Sequence, residues 1–282
     1  MTADPALGVV PFALTDAARP LLVLGPSLGT SVTALWQDVV PLLPDVDVVG
    51  WDLPGHGSAP APDPRGLAGL TVPDLARAVL DVVARAQAER GDVGAPFWYA
   101  GVSVGGAVGL HLLLDAPGRL HGAALICTAA SFGEPGPWLD RARLVESAGT
   151  PTQVEGSARR WFGPGFVERE PRVVLRLLGS LQTADRFGYG AVCRALAAWD
   201  ARPGLAGAGG PGSSVPASSV PVVTIAGEHD LPAPPAALAE IARGVGAVRS
   251  EVLDGVAHLA PAEAPARVAE LVRDLVTAGV AR

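Results

Sequence analysis

Ser103 lies at the centre of Gly101-Val102-Ser103-Val104-Gly105, a G-x-S-x-G pentapeptide. A serine hydroxyl is a weak nucleophile near neutral pH. It needs a base to take its proton and a third group to orient that base. Two later stretches supply those residue types: Asp230 in Ala226-Gly227-Glu228-His229-Asp230, and His258 in Asp254-Gly255-Val256-Ala257-His258-Leu259. Together the three could carry acyl transfer: Ser103 attacks a carbonyl, His258 shuttles the proton, and Asp230 holds the imidazole tautomer. Glu228 and His229 compete with Asp230, and its position after a strand favours the aspartate. Of the other histidines, His111 falls within the helix-like run after Ser103 and His121 precedes a strand. His56 sits in the turn Asp52-Leu53-Pro54-Gly55-His56-Gly57-Ser58, where it shapes the sheet edge. In a chain with 35 glycines the pentapeptide alone means little, and the later Asp and His give it weight.

Acyl transfer also requires N–H donors aimed at the developing oxyanion. One is the backbone N–H of Val104, at the start of the helix after the serine. The second comes from the loop Gly25-Pro26-Ser27-Leu28-Gly29-Thr30, as the N–H of Leu28, with Ser27 as the alternative. None of these steps calls for a metal or an organic cofactor.

The elements that must position these residues alternate between strand and helix. Leu21-Leu22-Val23-Leu24 is a continuous apolar run suited to a strand buried on both faces. Further strands are expected at Val46 to Trp51, Phe97 to Val102, Ala123 to Cys127, Val222 to Ile225 and Val248 to Leu253. Thr71 can cap a helix that runs to about Arg90, with Asp74 reciprocating and Pro73 in the first turn. Other helices are expected from Ala107 to Leu114, Pro235 to Arg243 and Glu263 to about Thr277. Such alternation implies a mostly parallel sheet flanked by helices. From Glu134 to about Asp200 the alternation stops. Helix-like pieces (Trp138 to Ser147, Thr152 to Trp161, Pro171 to Leu181, Tyr189 to Trp199) succeed one another without a strand. The expected division is a core of residues 1–133 and 201–282, with an inserted helical cap at 134–200. Gly204 to Ser219, rich in Gly, Pro, Ala and Ser, reads as a flexible linker within 203–220.

Composition narrows the class. The 282 residues are 49% hydrophobic, enough for one large α/β domain. No run reaches about 18 uninterrupted apolar residues, so no membrane span is expected. The stretch Met1 to Val10 carries Asp4 and Pro5 instead of a basic segment followed by an apolar one, which argues against a secretory signal. Cys127 and Cys193 read as small buried hydrophobes, and a cytoplasmic setting is the expectation. The net charge is −7, every one of the 21 basic residues is Arg, and no basic run is present to grip nucleic acid.

The order Ser, Asp, His at matching strand ends is that of an α/β-hydrolase, and the chain resembles that superfamily over nearly its whole length. More narrowly it is similar to the 3-oxoadipate enol-lactonases of the β-ketoadipate pathway in aromatic catabolism. The supporting stretches are Ser27-Leu28-Gly29-Thr30, Thr128-Ala129-Ala130 with Trp138, Arg160-Trp161-Phe162-Gly163-Pro164-Gly165-Phe166, Gly188-Tyr189-Gly190-Ala191-Val192-Cys193, and His258-Leu259 followed by Glu263. Ser131 stands where the family often has a basic residue, and Pro26 where it has an Asn. The resemblance implies a carboxylic-ester hydrolase that opens an enol-lactone bearing a carboxylate, through an acyl-enzyme on Ser103. An acidic protein binding such an anion needs local positive charge. Arg160, or else Arg141 or Arg143, is expected to supply it, and Ser27, Trp138, Trp161 and Tyr189 are candidate pocket residues. A generalist esterase or another lactonase is the alternative. A non-catalytic ligand-binding member of the fold is a third possibility.

Overall fold

Continuous apolar runs build the centre of the sheet. The computed structural model of the chain describes residues 5–15, 17–207 and 220–280. Its strands are β1 (Gly8–Ala13), β2 (Leu21–Gly25), β3 (Asp47–Asp52), β4 (Phe97–Val102), β5 (Leu120–Ile126), β6 (Val222–Gly227) and β7 (Arg249–Leu253). They form one seven-stranded sheet in the order β1-β3-β2-β4-β5-β6-β7. Only β1 runs antiparallel, against β3. Every residue of β2, β3, β4 and β6 is buried, as parallel strands covered on both faces require.

The helices are α1 (Val32–Trp36), α2 (Val72–Arg90), α3 (Val104–Asp115), α4 (Pro135–Ala148), α5 (Val154–Trp161), α6 (Phe166–Arg169), α7 (Pro171–Thr183), α8 (Arg186–Ala197), α9 (Arg202–Gly207), α10 (Pro235–Val245), α11 (Ala260–Glu263) and α12 (Pro265–Val280). Helix α2 starts where its sequence says it should. Thr71 Oγ1 accepts the Asp74 N–H at 3.2 Å, and the Asp74 carboxylate accepts the Thr71 N–H at 3.0 Å. Helices α4 to α8 lie in the interval between β5 and β6, with α4 packed along α8.

The topology selects one edge of the sheet for chemistry. Strand β2 has β3 on one side and β4 on the other, so successive strands leave it in opposite directions. A crevice opens at such a switch point, beyond the carboxyl ends of the strands. Gly25 pairs with Gly101 in register, which brings the Ser27–Leu28 loop and Ser103 to the same place.

Some expectations change. Strand β1 is an addition to the expected set, His121 lies within β5 with its ring stacked on Trp98 at 5.6 Å, and Cys127 falls just beyond β5. Residues 204–207 of the expected linker are helical, because Leu205 finds a buried seat against α10. The rest of it, 208–219, lies outside the described residues. No helix among the described residues is long and apolar enough to cross a membrane.

Candidate active site

Strand β4 ends at Val102 and α3 begins at Val104, so the turn is made by Ser103 alone. Its backbone sits at φ 55°, ψ −115°, an unusual conformation for a residue with a side chain. Neighbouring strands hold it there: the Ser103 N–H donates to Ile126 O at 2.9 Å, and Thr128 Oγ1 donates to Ser103 O at 2.7 Å. Close approach explains both flanking glycines. A Cβ on Gly101 would fall 2.3 Å from Gly105 O, and one on Gly105 would fall 2.6 Å from Pro26 O.

Asp230 lies beyond β6 and His258 beyond β7, and both are buried. His258 Nδ1 is 2.9 Å from each carboxylate oxygen of Asp230. A carboxylate can only accept, so Nδ1 carries the proton and Nε2 is left as the basic nitrogen. Asp230 Oδ1 also accepts the Ala233 N–H at 2.8 Å, which fixes the carboxylate plane. The competing residues are committed elsewhere: Glu228 accepts the Gly255 N–H at 2.9 Å, and His229 turns outward toward Glu228.

Among the described residues the Ser103 hydroxyl makes no hydrogen bond, to His258 or to any other group. Such bonds commonly tighten only when substrate is bound. The two loops are tied beneath the surface instead. Cys127 lies between Ile126 and Thr128, the partners of Ser103, and its Sγ reaches Ala257 O at 3.6 Å. The thiol is fully buried, and burial together with nearby Asp230 pushes its pKa well up, so it stays protonated.

Ser27 and Leu28 differ in what is left for an oxyanion. The Ser27 N–H is taken by Thr30 Oγ1 at 3.1 Å, and Thr30 Oγ1 donates back to Ser27 O at 2.9 Å. The Leu28 and Gly29 N–H groups donate to no acceptor among the described residues, so Leu28 is free to serve where Ser27 is not. The Val104 N–H is the first of α3 and has no acceptor within its own helix. The Gly105 N–H donates to Pro26 O at 3.0 Å, which pins the loop beside the serine turn.

The helical segment between β5 and β6 holds Trp138, Arg141, Arg160, Trp161 and Tyr189, of which Trp161 bonds to the His258 loop. Trp161 O accepts the N–H groups of His258 and Leu259 at 3.2 and 3.3 Å, while its indole lies against Gly29 of the Gly25–Thr30 loop. Arg141 stacks over Trp138 at 4.5 Å, and the Trp138 indole donates to Phe132 O at 2.8 Å. Arg160 is half-buried near Arg141 and Tyr189, and burial and then Arg141 lower its pKa. Buried Tyr189 stacks on His56 at 6.0 Å. Arg143 is spent on Asp140 at the surface. Among the described residues neither Arg141 nor Arg160 has an acidic partner, so this corner carries uncompensated positive charge. Reading the residues one by one misses the roles of Thr30, Cys127, Thr128 and Glu263. All four lie in or beside the family-like runs, and only three-dimensional contact reveals what they bond. No group of three or more His, Cys, Asp or Glu side chains among the described residues could hold a metal ion.

The alpha/beta hydrolase family pattern matches residues 22–271. The chain is 32% identical to 3-oxoadipate enol-lactonase 2 of Acinetobacter baylyi over 228 residues, covering 80% of this chain and 77% of that protein. Its structure superposes on the enol-lactonase from Burkholderia xenovorans LB400 with a TM-score of 0.82 at 29% identity, covering 96% of each chain. A hydrolase from Pseudomonas aeruginosa PA01 gives a TM-score of 0.79 at 26% identity, with 96% of this chain and 94% of that one covered.

Proposed function

The chain belongs to the alpha/beta hydrolase family, and on that footing we propose that it is a serine hydrolase opening 3-oxoadipate enol-lactone to 3-oxoadipate. The observation that carries the mechanism is the placement of His258 Nδ1 2.9 Å from both oxygens of a buried Asp230. The same sheet edge carries a serine in a strained turn. His258 Nε2 takes the Ser103 proton as Oγ attacks the lactone carbonyl. The N–H groups of Val104 and Leu28 receive the oxyanion. Collapse of the tetrahedral intermediate breaks the ring C–O bond as His258 returns its proton to the departing enol oxygen, which leaves more readily than an ordinary alkoxide. Its ketonisation draws the reaction forward. A water deprotonated by His258 then releases 3-oxoadipate from Ser103.

The substrate assignment is supported by the named relatives and by the charge of the segment over the site. We read residues 134–200 as a cap. Arg160, together with Arg141, supplies the positive charge for the substrate carboxylate that Ser131 does not provide. Arg160 directly precedes Trp161, whose carbonyl holds the His258 loop. Ser131 is also the observation behind the second reading, a broader esterase or another lactonase. Comparing kcat/KM on the enol-lactone with that on a neutral p-nitrophenyl ester decides between them. A preference of about 100-fold or more for the lactone is expected, the discrimination one desolvated charge pair supplies. Equal or better use of the ester would overturn the substrate assignment while leaving the hydrolase intact.

A further inference from the structure

Glu263 is the last residue of α11, five positions beyond His258, and among the described residues it makes no ion pair. Its two oxygens serve two different segments. Oε1 accepts the N–H of Ala257, the residue before His258, at 2.9 Å. Oε2 accepts the N–H of Gly163, two residues beyond Trp161, at 2.6 Å. Trp161 closes the circuit from the other side through its carbonyl, which takes the His258 and Leu259 N–H groups. The segments touch so closely that a Cβ on Gly163 would fall 2.1 Å from Gly255 O.

We propose that Glu263 is a positioning residue for His258, its carboxylate fastening the loop that carries the imidazole to the Arg160–Gly163 end of the cap. The base is then aligned only while the arginine-bearing stretch is docked. The proposal rests on the serine-hydrolase reading above. A carboxylate suits this place because it accepts on both oxygens and donates on neither. Burial penalises its charge and raises its pKa, and the N–H groups of Gly163 and Ala257 work in the opposite direction. An amide would keep one acceptor and turn its NH2 against the other N–H, leaving a donor unpaired.

The experiment compares wild type, Glu263→Gln, Glu263→Asp and Gly163→Ala. It measures the rate of Ser103 labelling by a fluorophosphonate, kcat and KM on the enol-lactone, and thermal melting. Glu263→Gln should lower kcat and the labelling rate about tenfold, the order expected for one broken charge-assisted hydrogen bond, with KM changing less than about threefold. Glu263→Asp keeps two acceptors and should regain part of the loss. Gly163→Ala leaves the carboxylate intact, forces the segments apart, and should lower kcat in the same way even if Glu263→Gln folds poorly. Wild-type labelling and kcat in folded Glu263→Gln or in Gly163→Ala would overturn the proposal, as would a fall in Glu263→Asp equal to that in Glu263→Gln. A wild type that fails to label removes the serine-hydrolase reading itself, and the clamp with it.

Discussion

Replacing Asp230 by Asn changes charge and hydrogen-bonding sense while keeping shape, and the surrounding bonds dictate how the new amide must sit. Asp230 Oδ1 accepts the Ala233 N–H at 2.8 Å. In the Asp230→Asn variant the amide oxygen must therefore take that place, which puts the NH2 where Oδ2 stood, 2.9 Å from His258 Nδ1. The amide oxygen stays equally near Nδ1, at 2.9 Å, but it is shared with the Ala233 N–H, and the new NH2 repels an Nδ1–H. The imidazole proton then shifts to Nε2, and the nitrogen meant to deprotonate Ser103 is no longer basic. Such a tautomer change costs about 10⁴ in kcat in other Ser-His-Asp sites, or ~5.4 kcal/mol of transition-state stabilisation. Fold should survive, because the Ala233 bond persists and no buried charge is left unpaired. Steady-state hydrolysis of the enol-lactone and fluorophosphonate labelling should fall together, with melting within about 5 °C of wild type, the shift expected for ~1–2 kcal/mol in a domain this large. A folded Asp230→Asn variant losing less than about tenfold would refute the assignment of Asp230.

Charge and burial lead to two further predictions. Arg160→Met should lower kcat/KM for the carboxylate-bearing lactone by about 10²-fold and leave a neutral p-nitrophenyl ester within about threefold, as expected for one lost charge contact. An equal fall on both substrates would show a packing role instead. His56 is 1% exposed, and burial lowers its pKa from 6.5, with Asp52 and Asp185 opposing in part. The unfolded chain thus binds a proton that the folded one refuses, so stability falls as pH drops below about 6.5 by up to ~1.4 kcal/mol per pH unit. Urea unfolding at several pH values should show this slope flattened in His56→Gln, and an unchanged slope would exclude His56 as its source.

Much of the fold could be read from local pattern because its signals are local. The runs in β2, β4 and β6 are apolar without interruption, and the Thr71–Asp74 box marks the start of α2. Strand β1 is hard to see in the sequence because it lies at the sheet edge, alternates in exposure and contains Pro11. Helix α9 is hidden by its glycine- and proline-rich composition, and only the seat of Leu205 makes it worth forming. At the site, the positions of Ser103, Asp230 and His258 follow from strand ends. The sequence favours Leu28 over Ser27 as a loop donor, but the reason Ser27 is unavailable, Thr30 Oγ1 occupying its N–H, appears only in three dimensions. The Glu263–Gly163 bond joins residues 100 apart, and no spacing rule reaches that far.

The central claim is that Ser103 attacks a carbonyl with His258 as its base. Its most direct measurement is the intact mass of the protein after reaction with a fluorophosphonate, read beside turnover of 3-oxoadipate enol-lactone. We predict one adduct per chain, mapped to Ser103, and a Ser103→Ala variant that takes none and loses turnover by at least about 10⁴-fold. An unlabelled wild type, or a Ser103→Ala protein that still opens the lactone at the wild-type rate, would contradict it.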